Sequence, residues 1–145
     1  MDIKYKKLND LAKVPTRGSD SAAGYDLYAA TEGKFTIYPH STGMVSTGLS
    51  LELPEGYFGA IFARSGLAAK QGLRPANCVG VVDSDYRGEI KVALHNDTDF
   101  VQIFEEGDRV AQLVLLPYVE MTFSEAEELT ETERGEDGFG STGTN

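Results

Sequence analysis

Asp83 and Tyr86 stand close together in the stretch GVVDSDYRGEIKV, Gly80 to Val92. A carboxylate can take a proton from water, and an aromatic ring can pack against a planar group. The pair therefore suits an enzyme that activates water beside a gripped substrate. The pattern predicts an apolar strand ending at Asp83, a polar turn over Ser84 to Gly88, and an alternating strand returning from Glu89 to Leu94. An ordinary hairpin with a solvated Asp and Tyr in its loop would read the same way, so other stretches must decide.

Several carry groups of the right kind. In Ala23-Gly24-Tyr25-Asp26-Leu27-Tyr28-Ala29, Asp26 follows a glycine turn. Its carboxylate faces a metal-bound water or a neighbouring cation, or simply caps the turn. In Arg64-Ser65-Gly66-Leu67-Ala68 a strand runs into a short helix, with Ser65 as N-cap and Gly72 as terminator. Free amides at a helix start attract anions, Gly66 lets the backbone approach, and Arg64 can hold a phosphate through two bonds. A plain cap with a surface arginine is the alternative. Asn77 both donates and accepts, which suits the edge of a pyrimidine base as well as a turn. Gln112 interrupts the apolar run after Gly107-Asp108-Arg109, so its amide either satisfies backbone or faces a site.

Near the C-terminus, Gly138-Phe139-Gly140-Ser141-Thr142-Gly143 matches G-x-G-x-x-G. No strand precedes it and no helix can follow it, so a dinucleotide loop is excluded by context. A flexible flap fits better, with Arg134, Ser141, Thr142 and glycine amides such as that of Gly140 for phosphate and Phe139 to stack on a base. No Ser-His-Asp, Cys-His or dense carboxylate cluster competes. Asp83 is left as the general base, and a nucleotide polyphosphate as the substrate, its charge met by cations, amides and a divalent ion.

The elements that must position these groups come from a chain of 145 residues, the size of one domain. Thirteen Lys and Arg against 23 Asp and Glu give a net charge of −10, which repels a phosphate backbone and argues against nucleic-acid binding. Cys78 is the lone cysteine, and with only His40 and His95 beside it neither an internal disulfide nor a conventional zinc centre is expected. The N-terminal MDIKYKKLND has no apolar signal core and no window reaches the apolar length of a membrane span, so a cytoplasmic protein is expected. For the same reason the sequon Asn96-Asp97-Thr98 is discounted.

Strand patterns dominate. Ile3 and Tyr5 alternate with lysines, Val45, Thr47, Leu49, Leu51 and Leu53 alternate, and so do Ile90, Val92 and Leu94. Apolar runs at Tyr57 to Ala63 and Val110 to Leu116 read as buried strands, and glycine turns recur at Gly18, Gly33, Gly56, Gly88 and Gly107. The expected class is all-β, a sandwich or barrel with one short helix. Residues 1–119 form the β domain. Residues 120–145 form an arm in which eight carboxylates from Glu120 to Asp137 face the single cation Arg134, a composition that should stay mobile when alone.

Five segments, AGYDLYA, ARSGLA, GVVDSDYRGEI, GDRVAQLV and RGEDGFGSTG, resemble in order and spacing the five motifs of the trimeric dUTP diphosphatase (dUTPase) family. They span residues 23 to 143, nearly the whole chain. The resemblance implies a jelly-roll-like subunit, a homotrimer with shared active sites, and Mg²⁺-dependent hydrolysis of dUTP to dUMP and pyrophosphate. That activity keeps uracil out of DNA and supplies dUMP for thymidylate synthesis. By position, Asp83 resembles the base that orients the attacking water, and Tyr86 the ring that packs under the deoxyribose and excludes a 2′-OH. Asn77, the backbone of Val81, Val82 and Asp83, and Lys91 resemble the uracil-reading wall. Arg64, Ser65, Gly66 and Gln112 resemble the phosphate grip, and Asp26 an outer-shell residue reaching the metal through water. Arg134, Phe139, Gly140, Ser141 and Thr142 resemble the arm that closes over a neighbouring subunit's nucleotide. Asp137 departs from the family's pattern, which has a glycine there, and its charge and reduced freedom at positive φ should weaken closure modestly.

Two other readings stand beside this one. The related deoxycytidine triphosphate deaminases share the fold but need a different acid/base arrangement. A regulatory protein-binding module that reuses the fold would usually carry an inserted segment, and none is visible in this compact chain.

Overall fold

The computed structural model describes residues 1–136 and 138. Its strands are short, as the frequent glycine and proline turns require. The first half of the chain holds β1 (Lys4–Lys7), β2 (Thr16–Arg17), β3 (Tyr25–Tyr28), β4 (Phe35–Ile37), β5 (Thr42–Ser46), β6 (Leu49–Glu52) and β7 (Tyr57–Phe62). A single helix, α1 (Ser65–Gln71), follows. After it come β8 (Leu73–Pro75), β9 (Gly80–Val82), β10 (Lys91–Asn96), β11 (Gln102–Phe104) and β12 (Arg109–Pro117).

All pairings are antiparallel. The largest sheet runs β2-β3-β12-β7-β9, a second runs β5-β10-β8, and β1-β6 and β11-β4 form two ribbons. None of these sheets closes on itself among the described residues, so the mostly-β class is as expected and a closed barrel is not formed. The apolar run from Val110 supplies β12, the nine-residue strand at the centre of the large sheet, with Gln112 opposite both Asp26 of β3 and Phe62 of β7. The core draws on the inward residues of both larger sheets, including Leu27, Ile61, Val45, Val92, Leu94 and Val110. Burying each such aliphatic side chain contributes about 1.5–3 kcal/mol, which makes this shared core the main term holding the sheets together.

Several expectations change. The stretch Gly80 to Val92 is not a hairpin: β9 pairs with β7 in the large sheet, whereas β10 pairs with β5 and β8 in the other. The intervening turn therefore carries the chain from one sheet to the next. The alternation from Val45 to Leu53 is broken at Thr47 and Gly48, where Gly48 adopts φ 64° and the chain turns from β5 to β6. β1 forms, but all four of its residues are exposed. α1 begins one residue earlier than read: its cap is Arg64, extended at φ −81° and ψ 131°, with no side-chain cap bond, and Ser65 is the first helical residue. Gly72 ends the helix as expected, in the left-handed conformation at φ 61°.

Asn96, discounted as a sequon, is fully buried. Its amide donates to the carbonyls of Ile37, Tyr38 and Phe100, and its oxygen accepts from Thr98. That network ties the end of β10 to the segments flanking β4 and β11. Beyond β12 the residues from Tyr118 to Glu136 contain no strand or helix and are exposed. No described helix is long and apolar enough to cross a membrane.

Candidate active site

β9 forms one wall of a cleft of about 440 Å³. Six residues singled out in the sequence line it: Asn77, Val81, Val82, Asp83, Tyr86 and Lys91. The pairing of β9 with β7 sets that wall, with Gly80 opposite Ile61. Gly80 is needed for the close approach, since a Cβ there would lie 3.1 Å from the Ile61 Cβ. Asn77 enters from a tight turn in which Val79 N–H donates to its carbonyl at 2.7 Å, with Cys78 at φ 63°.

The turn after Asp83 is fastened at many points. Tyr86 N–H donates to the Asp83 carbonyl at 3.2 Å, and the Arg87 guanidinium donates to the Ser84 carbonyl at 2.6 Å. The Tyr86 hydroxyl donates to the Glu89 carbonyl at 3.0 Å, which lays the ring back along the turn. Gly88 makes room for it: a Cβ there would lie 2.4 Å from the Tyr86 Oη. The Asp83 carboxylate is exposed at the mouth of the cleft and accepts no hydrogen bond from the described residues. Such a group is available to accept a proton from water.

Glu89 escaped the sequence reading. Its Oε1 accepts from the Ser46 hydroxyl and, at 2.9 Å, from Gly48 N–H. Its Oε2 lies 3.4 Å from the Lys91 Nζ. Burial pushes this carboxyl up, but the bonds from Ser46 and Gly48 and the ammonium of Lys91 together outweigh it and hold Glu89 below its ordinary value. Met44, Ile61 and Ile90 complete the apolar lining. In sequence they are ordinary strand residues, and nothing local marks them as cleft-facing.

The remaining predicted residues gather elsewhere. Asp26 is buried, and its two oxygens accept from Arg64 Nε at 2.8 Å and Arg109 Nη1 at 3.3 Å. Of the roles open to it, the structure shows the neighbouring cation, and Arg109 is a partner the sequence did not reveal. Gln112 satisfies backbone, donating to the Ala63 carbonyl at 2.9 Å, while its other amide atom lies against Gly24. Ser65 and Gly66 are exposed at the start of α1. None of Asp26, Arg64, Ser65, Gly66 or Gln112 lines the cleft of Asp83 within one chain. Arg134 is exposed, while Asp137, Phe139, Gly140, Ser141 and Thr142 lie outside the described residues.

Among the described residues no group of three or more His, Cys, Asp or Glu side chains could hold a metal ion. With both Asp26 oxygens already taken by guanidinium groups, this donor set does not make a protein-held metal centre.

Comparison with known proteins places the chain in a family. A family model described as dUTPase matches residues 10–143. The deoxyuridine 5′-triphosphate nucleotidohydrolase of Candida albicans is 52% identical over 135 residues, covering 92% of this chain and 82% of its own. That of Hydrogenobaculum is 45% identical over 143 residues, covering 99% of both chains. Among solved structures, the Staphylococcus bacteriophage 80alpha dUTPase with dUPNHPP superimposes with a TM-score of 0.90 at 29% identity, covering 99% of each chain.

Proposed function

The chain belongs to the dUTPase family, and from that premise we propose that it hydrolyses dUTP to dUMP and pyrophosphate. The observation that carries the reading is the cleft itself, which gathers Asn77, the β9 backbone, Asp83 and Tyr86 around one volume. Uracil enters beside β9, where Asn77 and the fixed backbone groups from Val81 to Asp83 read its edge, with Lys91 at the far side. A narrow wall excludes the thymine methyl by contact, and its fixed donors and acceptors oppose the reversed pattern of cytosine. Tyr86 packs under the deoxyribose and leaves no room for a 2′-OH.

Asp83 orients a water and takes its proton as the oxygen attacks the α-phosphorus. The bond from the α-phosphorus to its bridging oxygen breaks, and pyrophosphate leaves. Mg²⁺ would come with the substrate in this scheme and would neutralise charge on the triphosphate. Arg64, Ser65, Gly66 and Gln112 hold the phosphates, and Asp26 aims Arg64 from behind through their 2.8 Å bond. Arg134, Phe139, Gly140, Ser141 and Thr142 act on an arm, residues 120–145, that closes over the nucleotide and excludes bulk water.

A jelly-roll-like homotrimer completes the reading. Within one chain the phosphate residues and the Asp83 cleft share no cavity, as a site assembled from several subunits requires. Each subunit also presents an apolar hollow of about 500 Å³ lined by Ile3, Tyr25, Leu51, Leu53, Leu113 and Leu115, a face suited to burial against another copy. A solution mass three times 15.7 kDa checks the assembly.

The activity test is pyrophosphate release from dUTP, dTTP, dCTP and UTP in parallel, with Mg²⁺ and then with chelator. Turnover of dUTP alone, lost with chelator, is the expected result. Silence on all four would move the assignment to a nucleotide-binding module. Asp83→Asn should bind nucleotide yet lose at least a hundredfold in kcat, because the amide cannot take the proton; near wild-type turnover would remove Asp83 from the base role.

A further inference from the structure

The turn that carries Asp83 and Tyr86 has bonds of its own but no ladder between its two flanking strands, which lie in different sheets. It is strapped from behind by the β5–β6 corner. The Thr47 hydroxyl donates to the Ile90 carbonyl at 2.6 Å, the Ser50 hydroxyl to the Arg87 carbonyl at 2.7 Å, and Ile90 N–H to the Leu49 carbonyl at 2.7 Å. Glu89 stands at the centre of this strap. Its side chain gathers Ser46, Gly48 N–H and Lys91, and its own carbonyl receives the Tyr86 hydroxyl.

We propose that Glu89 is a specificity-determining positioning residue, whose carboxylate, anchored on Ser46 and Gly48, fixes the carbonyl that holds the Tyr86 ring in place. Glu89 touches the sugar through nothing of its own; it acts through Tyr86. About half of the Tyr86 surface is open, so its hydroxyl bond to Glu89 and the space above Gly88 matter to where the ring lies. A backbone carbonyl is a fixed anchor only if its residue is fixed. The Ile90 N–H bond to Leu49 holds the same peptide plane, and the paired carboxylate adds to it, because two donors from the β5–β6 corner meet on one oxygen and a cation sits on the other. The inference rests on the proposed role of Tyr86 against the 2′-OH. A loosened ring should therefore admit ribonucleotide before it impairs deoxyribonucleotide chemistry.

The experiment compares kcat and KM for dUTP and UTP in wild type, Glu89→Ala, Glu89→Gln and Gly88→Ala. In Glu89→Ala the UTP to dUTP ratio of kcat/KM should rise about tenfold, well within what a displaced positioning group produces. Glu89→Gln keeps an oxygen for Ser46 and Gly48, so it should restore the ratio to within about twofold of wild type. Gly88→Ala should relax it at least as far, since its methyl cannot coexist with the ring at 2.4 Å. An unchanged ratio in Glu89→Ala, even with a lowered melting temperature, would show a purely structural carboxylate and overturn the proposal. Should Glu89→Ala not fold, Ser46→Ala decides, with a two- to threefold rise supporting and no change refuting. NMR of ¹³C-labelled tyrosine, with Tyr86→Phe as the assignment control, reads the ring without turnover. If the wild-type chain hydrolysed neither nucleotide, the functional reading would fail, and an unmoved Tyr86 signal in Glu89→Ala would separately refute the positioning role.

Discussion

Gly24→Ala adds one methyl group at a point where the structure leaves no space for it. The new Cβ would stand 2.3 Å from the Gln112 Oε1, 3.1 Å from its Cδ and 3.3 Å from its Cβ. The Cβ contact can relax by a few tenths of an ångström, because Gly24 lies just before β3, outside its paired register with β12. The amide contact cannot, so the Gln112 amide must rotate away and break its 2.9 Å bond to the Ala63 carbonyl. Losing one partly buried hydrogen bond costs about 1 kcal/mol, and the residual crowding adds a few tenths. A loss of about 1.5 kcal/mol in a domain of this size lowers Tm by roughly 5 °C. The effect on activity should be larger, because Gln112 and Arg64 are read as parts of one phosphate grip. We expect kcat/KM for dUTP to fall between about tenfold and a hundredfold. Thermal melting and continuous pyrophosphate release measure the two effects, and Gly18→Ala is the control, since a Cβ there meets nothing within 4 Å. A Tm loss with kcat/KM intact would show that Gln112 only supports the backbone, and the phosphate role would fall. No change in either quantity would refute the placement of the amide.

Other perturbations reach other parts of the molecule. Asn96→Ala strips the donors from three carbonyls and the acceptor from Thr98 at a fully buried position, and should cost about 3 kcal/mol in urea unfolding; a loss below about 1 kcal/mol would mean that water replaces the amide. The Glu89 carboxyl is held below its ordinary value of 4.5, so its contribution to stability is fully present above that pH and is lost as pH falls through the folded-state value. The stability gap between wild type and Glu89→Gln should accordingly be flat from pH 7 to about pH 5 and shrink below it, and a gap independent of pH would contradict the network. Deleting residues 134–145 should leave melting and the number of chains in the assembly unchanged while kcat/KM falls at least tenfold; a truncated chain that failed to fold would make the arm structural.

The candidate site was legible because its residues sit in contiguous motifs. GVVDSDYRGEI brings Asp83, Tyr86 and the β9 wall together within one turn, and the structure places all of them on one cleft with Asn77. The buried strand from Val110 and the end of the helix at Gly72 were equally plain, since apolar runs and a left-handed glycine are local signals. What local pattern does not carry is the choice of partner. The apolar run ending at Asp83 and the alternation from Glu89 to Leu94 marked two strands, but neither signal speaks to pairing. Their separation into two sheets follows from contacts with β7 and β5, far away in sequence. The burial of Asp26 between Arg64 and Arg109 and the gathering of Ser46 and Gly48 on Glu89 are long-range in the same way. By itself, then, the sequence determined which groups are candidates for the chemistry and that they ride on short strands and turns. Only the tertiary structure decided what holds them still, because a carboxylate's partners are set by how sheets stack over a shared core and not by its neighbours along the chain.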